Sequence, residues 1–138
     1  MKTLNLEDTV IFTGRVNIDP YLEKIDLIVL TSISESQPLV ILEAGAAGIP
    51  CVATDSGSCQ ELIYGRTNEI PPLGPAGAIC PLSNPSSIAA SVALLLKDDA
   101  YYQACSKAIK ERVRTYYNMG DLKREYSDLY ESLFAEVK

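Results

Sequence analysis

Residues 26–54, DLIVLTSISESQPLVILEAGAAGIPCVAT, decide how this chain folds. Asp26-Leu27-Ile28-Val29-Leu30-Thr31-Ser32 is too continuously apolar to leave one face in water, so it is expected as a central strand of a parallel sheet. The polar loop Ile33 to Gln37 follows. A helix is expected from Pro38 to about Ala47, because proline suits a first helical turn and Gly48-Ile49-Pro50 supplies the stop. Cys51-Val52-Ala53-Thr54 is the next apolar run. Strand, loop, helix and strand in that order form a βαβ unit.

The same alternation extends in both directions. Upstream, Val10-Ile11-Phe12-Thr13-Gly14 reads as a β-rich run stopped by glycine, and Asp19-Pro20 as a helix N-cap followed by proline. Downstream come a short helix from about Ser58 to Tyr64, a Pro/Gly-rich loop from Gly65 to Gly77, and the run Ala78-Ile79-Cys80. From Asn84-Pro85 the pattern turns helical: Ile88, Val92, Leu95 and Leu96 recur at helical spacing, and amphipathic patterns continue over Tyr101 to Tyr117 and Leu122 to Phe134. The fold class expected is α/β, a Rossmann-like parallel sheet flanked by helices with a helical C-terminal tail. Residues 1–138 make one domain, with an α/β core over 1–83 and the tail over 84–138. Tyr101, Tyr102, Tyr116, Tyr117, Tyr126 and Tyr130 are expected to dock that tail on the sheet or on a partner.

Composition narrows the chemistry. The net charge is −6 and histidine is absent, so this chain offers no imidazole base and no histidine metal ligand. Residues 1–96 hold only Lys2, Arg15, Lys24 and Arg66 as cations, which argues against a nucleic-acid or anionic-membrane surface. Cys51, Cys59, Cys80 and Cys105 show no CxxC pair; buried free thiols in a reducing compartment fit better than disulfides. No segment reads as a signal core or a transmembrane span, and the address expected is the cytoplasm.

The chemistry-bearing stretch is Ser34 to Gly48. The helix from Pro38 is apolar all round except for Glu43, so burial on every side is expected, and a buried carboxylate is costly unless it has work. Glu35 lies eight residues earlier, in the loop entering the helix, so both carboxylates can face the crevice at the strands' carboxyl ends, where ligands bind in open α/β sheets. The helix start offers the amides of Leu39 and Val40 to an anion, Pro38 lacking one. Hydroxyl-accepting carboxylates beside an anion site suit a nucleotide sugar. A plainer alternative has Glu35 acting as a helix N-terminal charge and Glu43 pairing with Arg15 or Arg66.

Taken together and in order, these stretches, with the Glu-x7-Glu pair and with Gly57 and Glu61, resemble the C-terminal, donor-binding half of a GT-B-fold, family 4 retaining glycosyltransferase. Gly14-Arg15-Val16-Asn17-Ile18, Thr54 to Ile63 and Leu73-Gly74-Pro75-Ala76-Gly77 are most similar to the Pel exopolysaccharide (PelF-like) subgroup. The resemblance implies that Glu35 holds hydroxyls of the transferred hexose and serves catalysis, and that Glu43 holds the ribose. It implies that the backbone of Gln37, Pro38, Leu39 and Val40 approaches sugar and diphosphate, and that Val16 and Asn17 line the nucleobase pocket. Gly57 and Glu61 are expected to shape the adjoining loop and helix. The donor implied is UDP-glucose, bound as substrate with no metal or other cofactor, the donor phosphate taking the acceptor's proton so that configuration is retained.

The resemblance also implies absences. The family's glycine-rich, Arg/Lys-bearing segment upstream of the Val10 strand and its N-terminal acceptor lobe are not in these residues, so the chain is expected to be an incomplete C-terminal lobe. It is expected to be inactive alone and to self-associate through an exposed sheet edge or the tail. A non-catalytic α/β interaction or regulatory module is the alternative.

Overall fold

In the computed structural model, which describes residues 4–136, three strands pair in parallel in the order β1-β2-β3. They are β1 (Ile28–Leu30), β2 (Cys51–Thr54) and β3 (Gly77–Cys80). Val29 pairs with Val52, and Val52 with Ala78. The helices are α1 (Asp19–Leu22), α2 (Leu39–Ala47), α3 (Cys59–Tyr64), α4 (Pro85–Lys97), α5 (Asp99–Tyr116) and α6 (Met119–Glu136). No helix among the described residues is long and apolar enough to cross a membrane.

Side chains alternate across β2, and both faces are covered. Cys51 and Ala53 enter a core with Ile41 of α2, Leu62 and Ile63 of α3, and Ile109 and Val113 of α5. Val52 enters a second core with Cys80, Leu95 of α4 and Cys105 of α5. Helix α5 therefore serves both. The expected fold class, a Rossmann-like parallel sheet between helices, is what the chain adopts.

Three local expectations are corrected. Residues 10–14 form no strand, and Ile11 and Phe12 are 82% and 79% exposed. A strand is held by a neighbour's hydrogen bonds, and among the described residues this run pairs with no strand. The Asp26–Ser32 run narrows to Ile28–Leu30 and is an edge rather than a central strand, since β1 pairs with β2 alone among the described residues. At α1 the N-cap is Ile18, which puts Asp19 and Pro20 inside the first turn.

Elsewhere local chemistry sets the helix ends and docks the tail. The Asn84 side chain accepts from Ser87 N at 3.0 Å to cap α4, and Asp98 accepts from Tyr101 N at 2.9 Å to cap α5. Gly48 ends α2 in the left-handed conformation, and the Ile49 amide closes on Ala44 O at 2.9 Å. Four of the six tail tyrosines bond to the body. Tyr101 and Tyr102 donate to Gly77 O and Asp26 O at 3.2 and 2.8 Å, Tyr116 accepts from Ile70 N at 3.3 Å, and Tyr117 donates to Glu61 at 2.5 Å. Tyr126 and Tyr130 stay exposed.

Arg112 of α5 is fully buried and pairs with buried Glu69 through Nε to Oε2 at 2.7 Å and Nη2 to Oε1 at 2.9 Å. Hydrogen bonding from Arg112 is the main cause that holds the Glu69 carboxyl below the usual carboxylate range. Arg112→Met is expected to cost about 3–5 kcal/mol, because it leaves Glu69 buried without a counter-charge. Because the Glu69 pKa is depressed on folding, its contribution is complete above the usual carboxylate range and is lost as pH falls through the lower folded value. Urea midpoints from pH 7 down to pH 3 check this: the gap between the wild-type chain and Glu69→Gln should close as the medium acidifies.

Candidate functional site

The site is built on the loop between β1 and α2. Thr54, at the carboxyl end of β2, donates its hydroxyl to Ser32 O at 2.5 Å, tying the exit of β1 to its neighbour. Ser58 N donates to Ser36 O at 3.0 Å. Between these anchors lies Gly57, at φ +52°. A methyl there would stand 2.2 Å from Glu35 O and 2.6 Å from Ser36 O, so a side chain would push directly on the Glu35 backbone. Gly57 thus shapes the loop, as the resemblance implied.

Glu35 is half-buried in that loop, and Pro38 is buried behind it. Pro38 is the N-cap of α2 in an extended conformation with no side-chain cap, so the helix proper begins at Leu39. The amides of Leu39 and Val40 have no intrahelical acceptor and remain open. The Cys59 thiol is pushed up by burial first, with the charge of Glu35 among the smaller causes.

Glu43 is exposed, against the expectation of burial. Helix α2 packs by one face only: Ile41, Ala44 and Gly45 are buried, and a methyl on Gly45 would meet Ile109 at 2.7 Å and Val113 at 2.8 Å. Leu39 and Glu43, one turn apart, share the open face. The plainer pairing fails as well, because the ion pairs of the described residues do not include Glu43 and Arg66 lies 3.9 Å from Glu61. Val16 and Asn17 are exposed in the loop before α1, where Asn17 accepts from Asp19 N at 3.2 Å. They line no part of the cavity that holds Gln37 and Leu39.

That cavity, of about 250 Å³, brings in residues the sequence reading missed. It runs from Gln37, Leu39 and Leu42 to Arg66 and Tyr117. The Arg66 guanidinium lies 5.5 Å from the Tyr116 ring centre and 5.9 Å from that of Tyr117. Burial first, then Glu61, raises the Tyr117 hydroxyl's pKa. The distance from Arg66 to Tyr116 in the chain hides this cluster from a sequence reading.

Solved structures share the architecture. Sucrose-phosphate synthase from Thermosynechococcus elongatus superposes with a TM-score of 0.85 at 27% identity, over 98% of this chain and 33% of that one. Anabaena HepE, solved in complex with UDP, superposes with a TM-score of 0.81 at 22% identity, over 95% and 34%, and bears on the fold alone. The class defined is a GT-B-type lobe, a parallel sheet flanked by helices with a helical C-terminal tail. Residues 1–112 match the family model for glycosyl transferases group 1, and the chain belongs to that family.

Among curated relatives, N-acetyl-alpha-D-glucosaminyl L-malate synthase of Bacillus anthracis is 30% identical over the whole of this chain and 34% of its own length. The lipopolysaccharide core biosynthesis mannosyltransferase LpsB of Rhizobium meliloti is 40% identical over 46% of this chain and 18% of its own. The chain spans about a third of the length of the first of these relatives. These matches correct the narrower assignment: they support a GT-B glycosyltransferase domain of group 1 and not the family 4, Pel-type placement.

Gly57→Ala is expected to cost about 1–3 kcal/mol from backbone strain, with a further penalty from the clash against Glu35. Gly14→Ala carries the strain alone, since φ is +66° there with nothing within 4 Å. Hydrogen exchange should rise at residues 34–37 in the first variant and not in the second.

Proposed function

We propose that this domain binds the nucleotide-sugar donor of a glycosyltransferase. The observation carrying this reading is the seating of the Glu35 loop against Gly57 and Ser58, beside an uncapped α2 whose open face bears Glu43. The open amides of Leu39 and Val40, at the positive end of the helix, take the diphosphate. Gln37 and Pro38 approach it by their backbone. Glu43 accepts from the ribose hydroxyls and Glu35 from those of the hexose, where the sugar changes charge during transfer. Val16 and Asn17 contact the base.

The donor is a UDP-hexose, UDP-glucose by preference. This chain holds no histidine, and the proton from the acceptor hydroxyl passes to the donor phosphate oxygen, with configuration retained. A glycan acceptor is held by a second lobe, so these residues alone transfer no sugar. Free Cys51, Cys59, Cys80 and Cys105 support a reducing, cytoplasmic setting.

Calorimetry with UDP and UDP-glucose tests the roles separately. Glu43→Ala should weaken both ligands about tenfold, the loss of a charge-assisted hydrogen bond. Glu35→Ala should weaken UDP-glucose and leave UDP unchanged, and Lys123→Ala should change neither. Equal effects of Glu43→Ala and Lys123→Ala, or sugar transfer by the 138-residue chain, would overturn the assignment.

A further inference from the structure

Every buried side-chain nitrogen and oxygen of the described residues has a hydrogen-bond partner except one, the hydroxyl of Ser58. Arg112 and Glu69 satisfy each other, and Thr54 donates to Ser32 O. An unpartnered buried polar group is a cost that native folds seldom carry, so this hydroxyl calls for a reason. Helix capping does not supply it. Ser58 is the N-cap of α3, but at φ −84° and ψ 12° its backbone lies outside the extended region usual for a cap, and its side chain makes no cap bond.

Its place in the fold does. Ser58 N donates to Ser36 O at 3.0 Å, and a methyl on Gly57 would stand 2.2 Å from Glu35 O, so the backbone of residues 57–58 lies against that of residues 35–36. The Ser58 Oγ is closed to water behind this loop, while Glu35 is half-buried within it. Two carboxylates stand at this end of the sheet. Asp55 is already engaged, accepting from Gln60 Nε2 at 3.0 Å, whereas the Glu35 carboxylate takes part in none of the side-chain hydrogen bonds of the described residues.

We propose that Ser58 is a positioning residue: when a donor hexose seats, its hydroxyl donates to the Glu35 carboxylate and holds one oxygen so that the other faces the sugar. This rests on the reading of Glu35 as the hexose contact. A glutamate side chain loses much rotamer freedom when it is fixed in one direction, and a bond from behind supplies that direction. A hydroxyl orients the carboxylate and leaves its charge in place, where a lysine or arginine would neutralise it, and a bond to an ionised acceptor is stronger than one between neutral groups. Ser58 does not touch the sugar in this arrangement, its Oγ being closed off by the loop. The donor that lacks a partner in the free domain gains one in the bound state.

Calorimetry with UDP and UDP-glucose, paired with urea unfolding of the 138-residue chain, tests this. Ser58→Ala should weaken UDP-glucose about fivefold, the worth of one hydrogen bond, and leave UDP unchanged. Without ligand it should unfold at a urea midpoint equal to or above that of the wild-type chain, because it removes a donor that has no partner. In a Glu35→Ala background Ser58→Ala should have no further effect on UDP-glucose. A lowered midpoint with both ligands weakened alike would make Ser58 a cap for α3 and overturn the proposal, as would a loss that persists in the Glu35→Ala background. If Glu35→Ala weakens UDP-glucose and Ser58→Ala does not, this proposal alone fails. If Glu35→Ala leaves UDP-glucose unchanged, the reading of Glu35 fails and this proposal with it.

Discussion

The guanidinium of Arg112 is the fixed point around which this domain is assembled. Beyond its two bonds to Glu69, it donates from Nη1 to Leu62 O and Ile63 O, both at 3.2 Å, and from Nη2 to Gly74 O at 2.6 Å. The first two acceptors are carbonyls of the last turn of α3, which a helix leaves without intrahelical donors. The third belongs to the irregular segment leading to β3. One buried cation therefore satisfies a helix end, a carboxylate and a loop at once. A buried pair gains little over apolar packing in energy alone. Here its worth lies in geometry, since a planar fork with five donors fixes directions that apolar contacts leave loose.

That geometry reaches the candidate site through α5. Ile109 and Val113, flanking Arg112 on the same helix, press on Gly45 of α2, and Ser106 donates to Gly48 O at 2.6 Å where α2 ends. Helix α2 is held from behind at its middle and its end, which leaves its first turn and one face free. The loop ahead of it is fixed from the other side, by Ser58 and Gly57 at the entry to α3, whose far end Arg112 holds. The two sides of the Glu35 loop are thus set by two helices that share one guanidinium.

The parts of this arrangement legible in the sequence are the ones governed by local chemistry. The bounds of β2, the stops after α2, the start of α4 at Asn84 and the opening of the Glu35 loop follow from residue type and spacing. What misled were readings that needed to know the neighbour. Apolar continuity made Asp26–Ser32 look central, but among the described residues only one side of Ile28–Leu30 is paired. Val10 to Phe12 has strand composition and no ladder. Glu43 looked buried because every other residue of its helix is apolar or small, and small residues such as Ala46 and Ala47 tolerate solvent as readily as a core. Neither Arg112–Glu69 nor Arg66 between two tyrosines has a sequence signature, each joining residues more than forty positions apart.

Arg66 decides how strongly the proposed site can hold a diphosphate by itself. It is the cation lining the cavity at the start of α2, but Glu61 already stands 3.9 Å from it and two tyrosine faces engage it. The helix end contributes roughly half an elementary charge. A diphosphate brings more negative charge than that, and Glu35 and Glu43, the groups suited to sugar hydroxyls, add to it. Attraction from dipoles and a shared guanidinium can orient such a ligand, while full neutralisation requires cations beyond those in this cavity. On the proposed reading the acidic balance of residues 1–96 has a physical meaning: carboxylates placed to select hydroxyls would work against the phosphates that accompany them, so the proposed site would draw specificity rather than affinity from its own side chains.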